Sequence, residues 1–215
     1  MPYFKNNDIN LLFIHIPKTG GTSLELYFSS KFHIPLGNQS LFLHIEDKFL
    51  LNKNIKIDSS LQHMTYNQIV ENSKIFNIVF DNIKIITVVR NPYERIVSDL
   101  FFFKLIKTDT SKEEILDIIN KYLIDTIYDN HNIPQYKFIT NYKGEIIQNI
   151  HILRNESLIN DMKNLGYDDF NIFENVNPNK VNYYSYLNNK TIEIINNFYH
   201  LDFILFNYDK ITTIV

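Results

Sequence analysis

Residues 10–24 read NLLFIHIPKTGGTSL, an apolar run that breaks at Pro17 into a lysine, two adjacent glycines and three hydroxyl side chains. The apolar part, residues 10–16, is bounded by turn formers and reads as a buried parallel strand. From Gly21 onward Leu24, Tyr27 and Phe28 recur at helical spacing, which predicts a helix to about Lys31. A strand that runs through a glycine turn into a helix is a layout that holds phosphate-like anions. Glycines let the backbone approach closely, and unpaired amides at the helix start point at the anion. Lys18 adds a mobile positive charge, while Thr19, Thr22 and Ser23 add hydroxyl donors. The chain has only five glycines in 215 residues, so the pair at Gly20 and Gly21 is a pointed use of a scarce residue. The plainer alternative is a helix capped by Thr or Ser, with Lys18 solvated. Position directly after an apolar strand favours the anion cradle.

The strand-then-helix pattern recurs. Residues 82–92, NIKIITVVRNP, form a second apolar strand stopped at Asn91-Pro92. Asn91 suits a helix N-cap, Pro92 the first helical position and Glu94 the capping-box carboxylate, so a helix is predicted from Pro92 to about Lys107. A further helix is predicted over 111–128, with Glu113 and Glu114 in its first turn. EIIQNIHILR (145–154) reads as a third strand, and ESLINDMKNLG as a helix closed by Gly166. Residues 65–76 suit a short helix, 189–208 a terminal helix that packs back, and 33–60 are irregular. No repeat, linker or composition break divides the chain. The expectation is one α/β domain spanning 1–215, with a central, mostly parallel sheet flanked by helices.

Composition narrows the partners. Hydrophobic residues make up 45% and aromatics 14%, enough for a real core, while a net charge of −3 argues against a nucleic-acid surface. Cysteine is absent, which removes thiolate chemistry and sulfur-ligated zinc and fits a reducing compartment. The seven histidines, at 15, 33, 44, 63, 131, 151 and 200, form no metal-spaced pair and no close cluster with carboxylates, so no metal is expected. The first residues lack a signal-peptide layout and hold no membrane-length apolar run, so a soluble, cytoplasmic protein is expected. Arginine occurs only at 90, 95 and 154, against a background where lysine is the default cation. Those positions are where a planar, forked donor is expected to matter.

In the nucleoside-triphosphate P-loop a lysine follows the last glycine, whereas Lys18 precedes both glycines here. The order Pro17-Lys18-Thr19-Gly20-Gly21-Thr22-Ser23 instead resembles the 5′-phosphosulfate loop of sulfotransferases that use 3′-phosphoadenosine 5′-phosphosulfate. Such enzymes hold the 3′-phosphate with an arginine at a strand end and a serine eight residues later, and TVVRNPYERIVSDL supplies Arg90 and Ser98 in that arrangement. Ser98 would lie roughly 9 Å along its helix, within reach of an extended arginine. QHMTY (62–66), IPQYKFI (133–139), ILRNESL (152–158) and the tail FYHLDFILFNY are similar to segments of the carbohydrate branch, so the likeness covers about residues 11–208.

The resemblance implies a P-loop-NTPase-like sulfotransferase fold and in-line transfer of a sulfuryl group to a hydroxyl, most simply on a glycan, leaving 3′-phosphoadenosine 5′-phosphate. It implies that Lys18 neutralises charge on the leaving group, that residues Thr19, Gly20, Gly21, Thr22 and Ser23 hold the 5′ end, and that no metal is needed. His63 is the implied general base, with glutamate in the 33–60 region as the fallback, since imidazole ordinarily titrates near working pH. A nucleotide kinase or NTPase with a variant loop, and a non-catalytic nucleotide-binding module, stay open as alternatives. Gln135 either meets a sugar hydroxyl or satisfies loop backbone. Arg154 and Glu156 read as a structural ion pair, and His15, His151 and His200 as supporting residues.

Overall fold

The computed structural model describes residues 1–43, 57, 59–125, 128–172 and 182–213. His44 and the fallback glutamate of the 33–60 region, Glu46, lie outside the described residues. Four strands, β1 (Tyr3–Lys5), β2 (Asn10–Ile14), β3 (Lys84–Val89) and β4 (Ile150–Arg154), form one sheet in the order β1-β2-β3-β4. β2, β3 and β4 run parallel, in register Leu12↔Ile85↔Ile150, while β1 pairs antiparallel with β2. The architecture is α/β with a mostly parallel sheet, as the sequence predicts. β1 is the addition, because three residues are too few to display a period. The turn that folds it back is tied by Asn6, whose Oδ1 accepts from the amides of Asp8 at 2.9 Å and Ile9 at 2.8 Å.

Alternation along the strands sorts the core into two faces. Leu12, Ile14, Ile85 and Val89 pack with Leu61, Met64, Ile69 and Phe138 on one side. Leu11, Phe13, Ile86, Val88 and Leu153 pack on the other against helix α1 (Gly21–Phe32) and helix α5 (Leu158–Asn164). The short α2 (Tyr66–Glu71) opens with a Thr65–Gln68 capping box and lies on the first face through Ile69. A third cluster joins α3 (Pro92–Phe102), α4 (Lys112–Ile124), α6 (Asn189–Phe198) and α7 (His200–Leu205) through Tyr93, Leu100, Ile119, Ile195 and Phe203.

Several helix lengths differ from expectation: α2 ends at Glu71 rather than 76 and α4 at Ile124 rather than 128, and α3 and the terminal helix differ too. α3 stops at Phe102 because Lys104 turns left-handed (φ 56), donating to Phe101 O at 3.0 Å while Leu105 donates to Leu100 O at 2.9 Å. Those paired bonds close the helix end in a Schellman pattern. The terminal helix is two helices, broken at Tyr199, whose buried ring delivers its hydroxyl to Asn132 O at 3.0 Å. Among the described residues no helix is long and apolar enough to cross a membrane.

Arg95, on α3 and only 2% exposed, fixes the relation between these parts. Nε donates to Pro17 O at 3.0 Å, Nη1 to Ile133 O at 3.0 Å and Nη2 to His131 O at 2.5 Å. Three carbonyls from two loops thus converge on one planar cation, a task lysine cannot perform.

Candidate active site

The cradle forms where β2 meets α1. Thr19 Oγ1 donates to Ile16 O at 2.8 Å and so closes the turn with the hydroxyl that was expected to face an anion. Asn155 Nδ2 holds Thr19 O from the far side at 2.9 Å. The two glycines serve different ends. Gly20 sits at φ 90, and a Cβ there would lie 2.7 Å from Asn155 Nδ2. A Cβ on Gly21 would lie 2.4 Å from His15 Cδ2, so strand end and helix start touch through a glycine. α1 has no side-chain N-cap bond and no acidic residue in its first turn. No side chain caps its leading amides, although Ser23 N donates to Gly20 O at 3.3 Å, and the positive end of its dipole lies at this turn.

Lys18 occupies the left-handed region at φ 63, a conformation that costs a non-glycine residue about 1–2 kcal/mol. Its Nζ lies 4.3 Å over the Phe102 ring. Burial lowers the Lys18 pKa; Asp99 opposes that and Arg90 adds to it. The Lys18 carbonyl accepts from Arg90 Nη1 at 3.3 Å, so the two segments singled out in the sequence meet directly.

Arg90 is held through its backbone, Nη1 and Nη2. Its amide donates to Gln135 Oε1 at 2.9 Å, and Gln135 Nε2 donates back to Arg90 O at 2.9 Å. Nη2 donates to Glu94 Oε2 at 3.1 Å, and the guanidinium lies 5.0 Å from the Tyr183 ring centre. Nε is buried without a hydrogen-bond partner among the described residues. Ser98 is half-buried on α3, where Glu94, Ser98 and Phe102 recur every fourth residue, and Arg90 lies just ahead of the N-cap Asn91. Of the two roles open at Gln135, the fully buried amide takes the backbone one and faces Arg90 rather than a sugar. Arg154 and Glu156 do not pair with each other. Glu156 accepts from the Asn91 amide at 2.7 Å and the Tyr208 hydroxyl at 2.9 Å, whereas Arg154 Nη2 donates to Phe206 O.

His63 lies in a 3-10 turn, Leu61–His63, and is 8% exposed. Its Nδ1 meets Asp129 Oδ2 at 2.7 Å, and Asp129 Oδ1 accepts from the Ser60 amide at 2.5 Å. The imidazole stands edge-on between two others, 5.1 Å from His15 and 4.8 Å from His131. Each neighbour has its own carboxylate: His15 Nδ1 to Glu25 at 2.6 Å, and His131 Nδ1 to Asp99 at 2.7 Å. Burial drives the His63 pKa down to about 3; Asp129 opposes the shift and the flanking histidines reinforce it. The near-neutral titration expected of this imidazole is therefore corrected: it is neutral at any working pH. A carboxylate on Nδ1 places the ring proton there and leaves the lone pair on Nε2. Burial pushes against ionisation of Glu25 and Asp129, yet both carboxyls are held below their ordinary range, chiefly by His15 and His63 respectively.

His63, Asp129 and His131 bring ligand atoms within 4.8 Å of one another, a cluster that sequence spacing hid. Hydrogen bonds to carboxylates already account for both Nδ1 atoms. Asp129, Asp99, Glu25 and His131 are the residues that sequence reasoning missed. The polar run Asp129-Asn130-His131-Asn132 just before the Pro-Gln segment was the visible signal for two of them, Asp129 and His131; Glu25 and Asp99 sit inside helices with none.

A family model described as the sulfotransferase family matches residues 1–209. Neither curated proteins nor solved structures gave a match.

Proposed function

The chain belongs to the sulfotransferase family, and from that premise we propose that it moves a sulfuryl group from 3′-phosphoadenosine 5′-phosphosulfate to a hydroxyl on a carbohydrate. The observation that carries the donor assignment is the bond from Arg90 Nη1 to the Lys18 carbonyl, which joins the glycine turn to the arginine–serine helix. A nucleotide with phosphates at both ends needs two anion sites at a fixed separation, and this contact supports that reading by holding the two segments against each other. The residues fit such a group. The start of α1 lacks a side-chain cap, Gly20 turns at φ 90 to lead into it, and Arg90 Nε has no partner among the described residues.

In the proposed mechanism the donor, when bound, supplies an activated sulfuryl group on a good leaving group. The backbone of Gly20, Gly21, Thr22 and Ser23 holds its 5′ end, and Arg90 with Ser98 holds its 3′-phosphate. Lys18 leaves the Phe102 face to neutralise negative charge at the leaving oxygen, a type of stabilisation worth about 10²–10³ in rate. Its partly desolvated ammonium interacts more strongly than one in bulk water. His63 accepts the acceptor's proton on Nε2, oriented through Nδ1 by Asp129. His63 stays neutral from neutrality downward, so no acid limb near pH 6.5 is expected in the rate profile, and for it to act as base the bound substrate must raise its basicity.

The test is transfer of radiolabelled sulfate from the donor to a panel of glycans, beside calorimetry with adenosine 3′,5′-bisphosphate. Labelled glycan together with bisphosphate binding supports the proposal. Binding without transfer to any acceptor would point to a nucleotide-binding module and remove the catalytic half.

A further inference from the structure

The Arg90 fork is half used. A guanidinium receives an oxyanion best along its Nε–Nη2 edge, with two parallel hydrogen bonds. Here Glu94 Oε2 takes Nη2 alone at 3.1 Å, and the buried Nε beside it has no partner among the described residues. A buried donor left unpaired is costly, so this arrangement is poorer than the one the edge could make. Glu94 also stands between the two groups assigned to the 3′-phosphate: it follows Arg90, which sits just ahead of the helix cap, by four residues and precedes Ser98 by one helical turn. Its side chain is 28% exposed, so it has room to swing to solvent. Tyr183 backs the guanidinium plane at 5.0 Å and steadies the edge while the carboxylate moves.

We infer that Glu94 is a specificity-determining residue that occupies the Arg90 edge in place of a phosphate and is displaced only by an anion able to bond Nε and Nη2 together. A 3′-phosphate meets that requirement through two oxygens and gains Ser98 as well. A nucleotide without the 3′-phosphate leaves Glu94 where it is. The carboxylate thus sets a threshold: it weakens bisphosphate binding slightly and denies the edge to weaker anions. This role rests on the assignment of Arg90 to the 3′-phosphate, and the two are separable by experiment.

Calorimetry on the full chain with adenosine 3′,5′-bisphosphate and adenosine 5′-monophosphate provides the test. In Glu94→Gln the bisphosphate is expected to bind about two- to fivefold more tightly, the range that follows from removing a partly exposed ion pair. Monophosphate affinity should not change. Glu94→Asp keeps the charge but shortens the reach by one methylene, so it should show the same gain and guards against a folding defect in the first variant. If bisphosphate binding is unchanged or weaker in both variants while Arg90→Ala still abolishes the preference for bisphosphate, Glu94 supports Arg90 rather than competing for it, and the inference is overturned. If Arg90→Ala leaves that preference intact, the 3′-phosphate assignment itself fails and takes Glu94 with it.

Discussion

Two junctions, β2 into α1 and β3 into α3, share one design at low resolution and differ in almost every atom. At the first, the turn residues are glycines packed closely against Asn155 and His15, and the helix start has no side-chain cap. At the second, Asn91 Oδ1 caps the Tyr93 amide at 3.0 Å, Pro92 fills the first turn, and Glu156 holds the Asn91 amide. That backbone is capped, so on the proposed function it is the side chains of Arg90 and Ser98 that meet the ligand. On the proposed function, one junction would recognise the donor through main chain and the other through side chain. The first should therefore tolerate almost no added atoms, and the second almost no loss of donors.

The sharpest way to break this contrast is Lys18→Ala. It removes the one mobile cation from the backbone-led junction and should cut transfer about 10²- to 10³-fold while thermal melting stays close to wild type, a split read by steady-state kinetics beside calorimetry. A variant with ordinary turnover would take Lys18 out of the chemistry. Arg90→Ala follows, with bisphosphate affinity expected to fall about 10- to 100-fold, as loss of charge-assisted hydrogen bonds implies, and with 5′-monophosphate affinity spared. Equal losses for both nucleotides would erase the division of labour. Gly21→Ala sets two effects against each other. Alanine ordinarily favours a helix over glycine by about 1 kcal/mol, but the new Cβ would lie 2.4 Å from a His15 ring pinned by Glu25. Overpacking should win and destabilise by about 1–3 kcal/mol in denaturant melts; a more stable variant would show that the close approach does not matter. Smallest is Asn91→Ala, a lost cap worth about 1 kcal/mol of stability, with the catalytic rate unchanged. A large drop in turnover there would mean that the capped junction is not merely a support.

Acidification probes the buried imidazole row. His63 has its pKa depressed to about 3 in the fold, against about 6.5 in an unfolded chain. Its contribution to stability is complete above pH 6.5 and is lost progressively as pH falls from there toward 3, because only the unfolded chain gains the proton readily. Melting temperature should drop across that window, and His63→Gln should flatten part of the drop.

Elements with a strong local signature were legible in the sequence. β2, β3 and β4 are apolar runs between breakers, and α3 starts on Asn91-Pro92 as its caps require. Helix ends were less legible, since the left-handed Lys104 that stops α3 carries no glycine to announce it. The cradle and the arginine helix were visible because their residues are adjacent in the chain. The histidine row was not: His15, His63 and His131 come from a strand end, a 3-10 turn and a loop, and each carboxylate partner comes from elsewhere again. Nothing in linear order marks a charge that is satisfied across the fold. Arg95 was picked out as a scarce arginine, but the three carbonyls that require it became identifiable only in three dimensions.

That arginine has a consequence for how the molecule fails. Because a single side chain clasps Pro17 from the cradle, both loop carbonyls beside the imidazole row and its own helix, none of these parts can loosen by itself. Warming should therefore extinguish nucleotide affinity and turnover along one shared curve. Arg95→Lys, which cannot reach all three oxygens, should separate that curve into two.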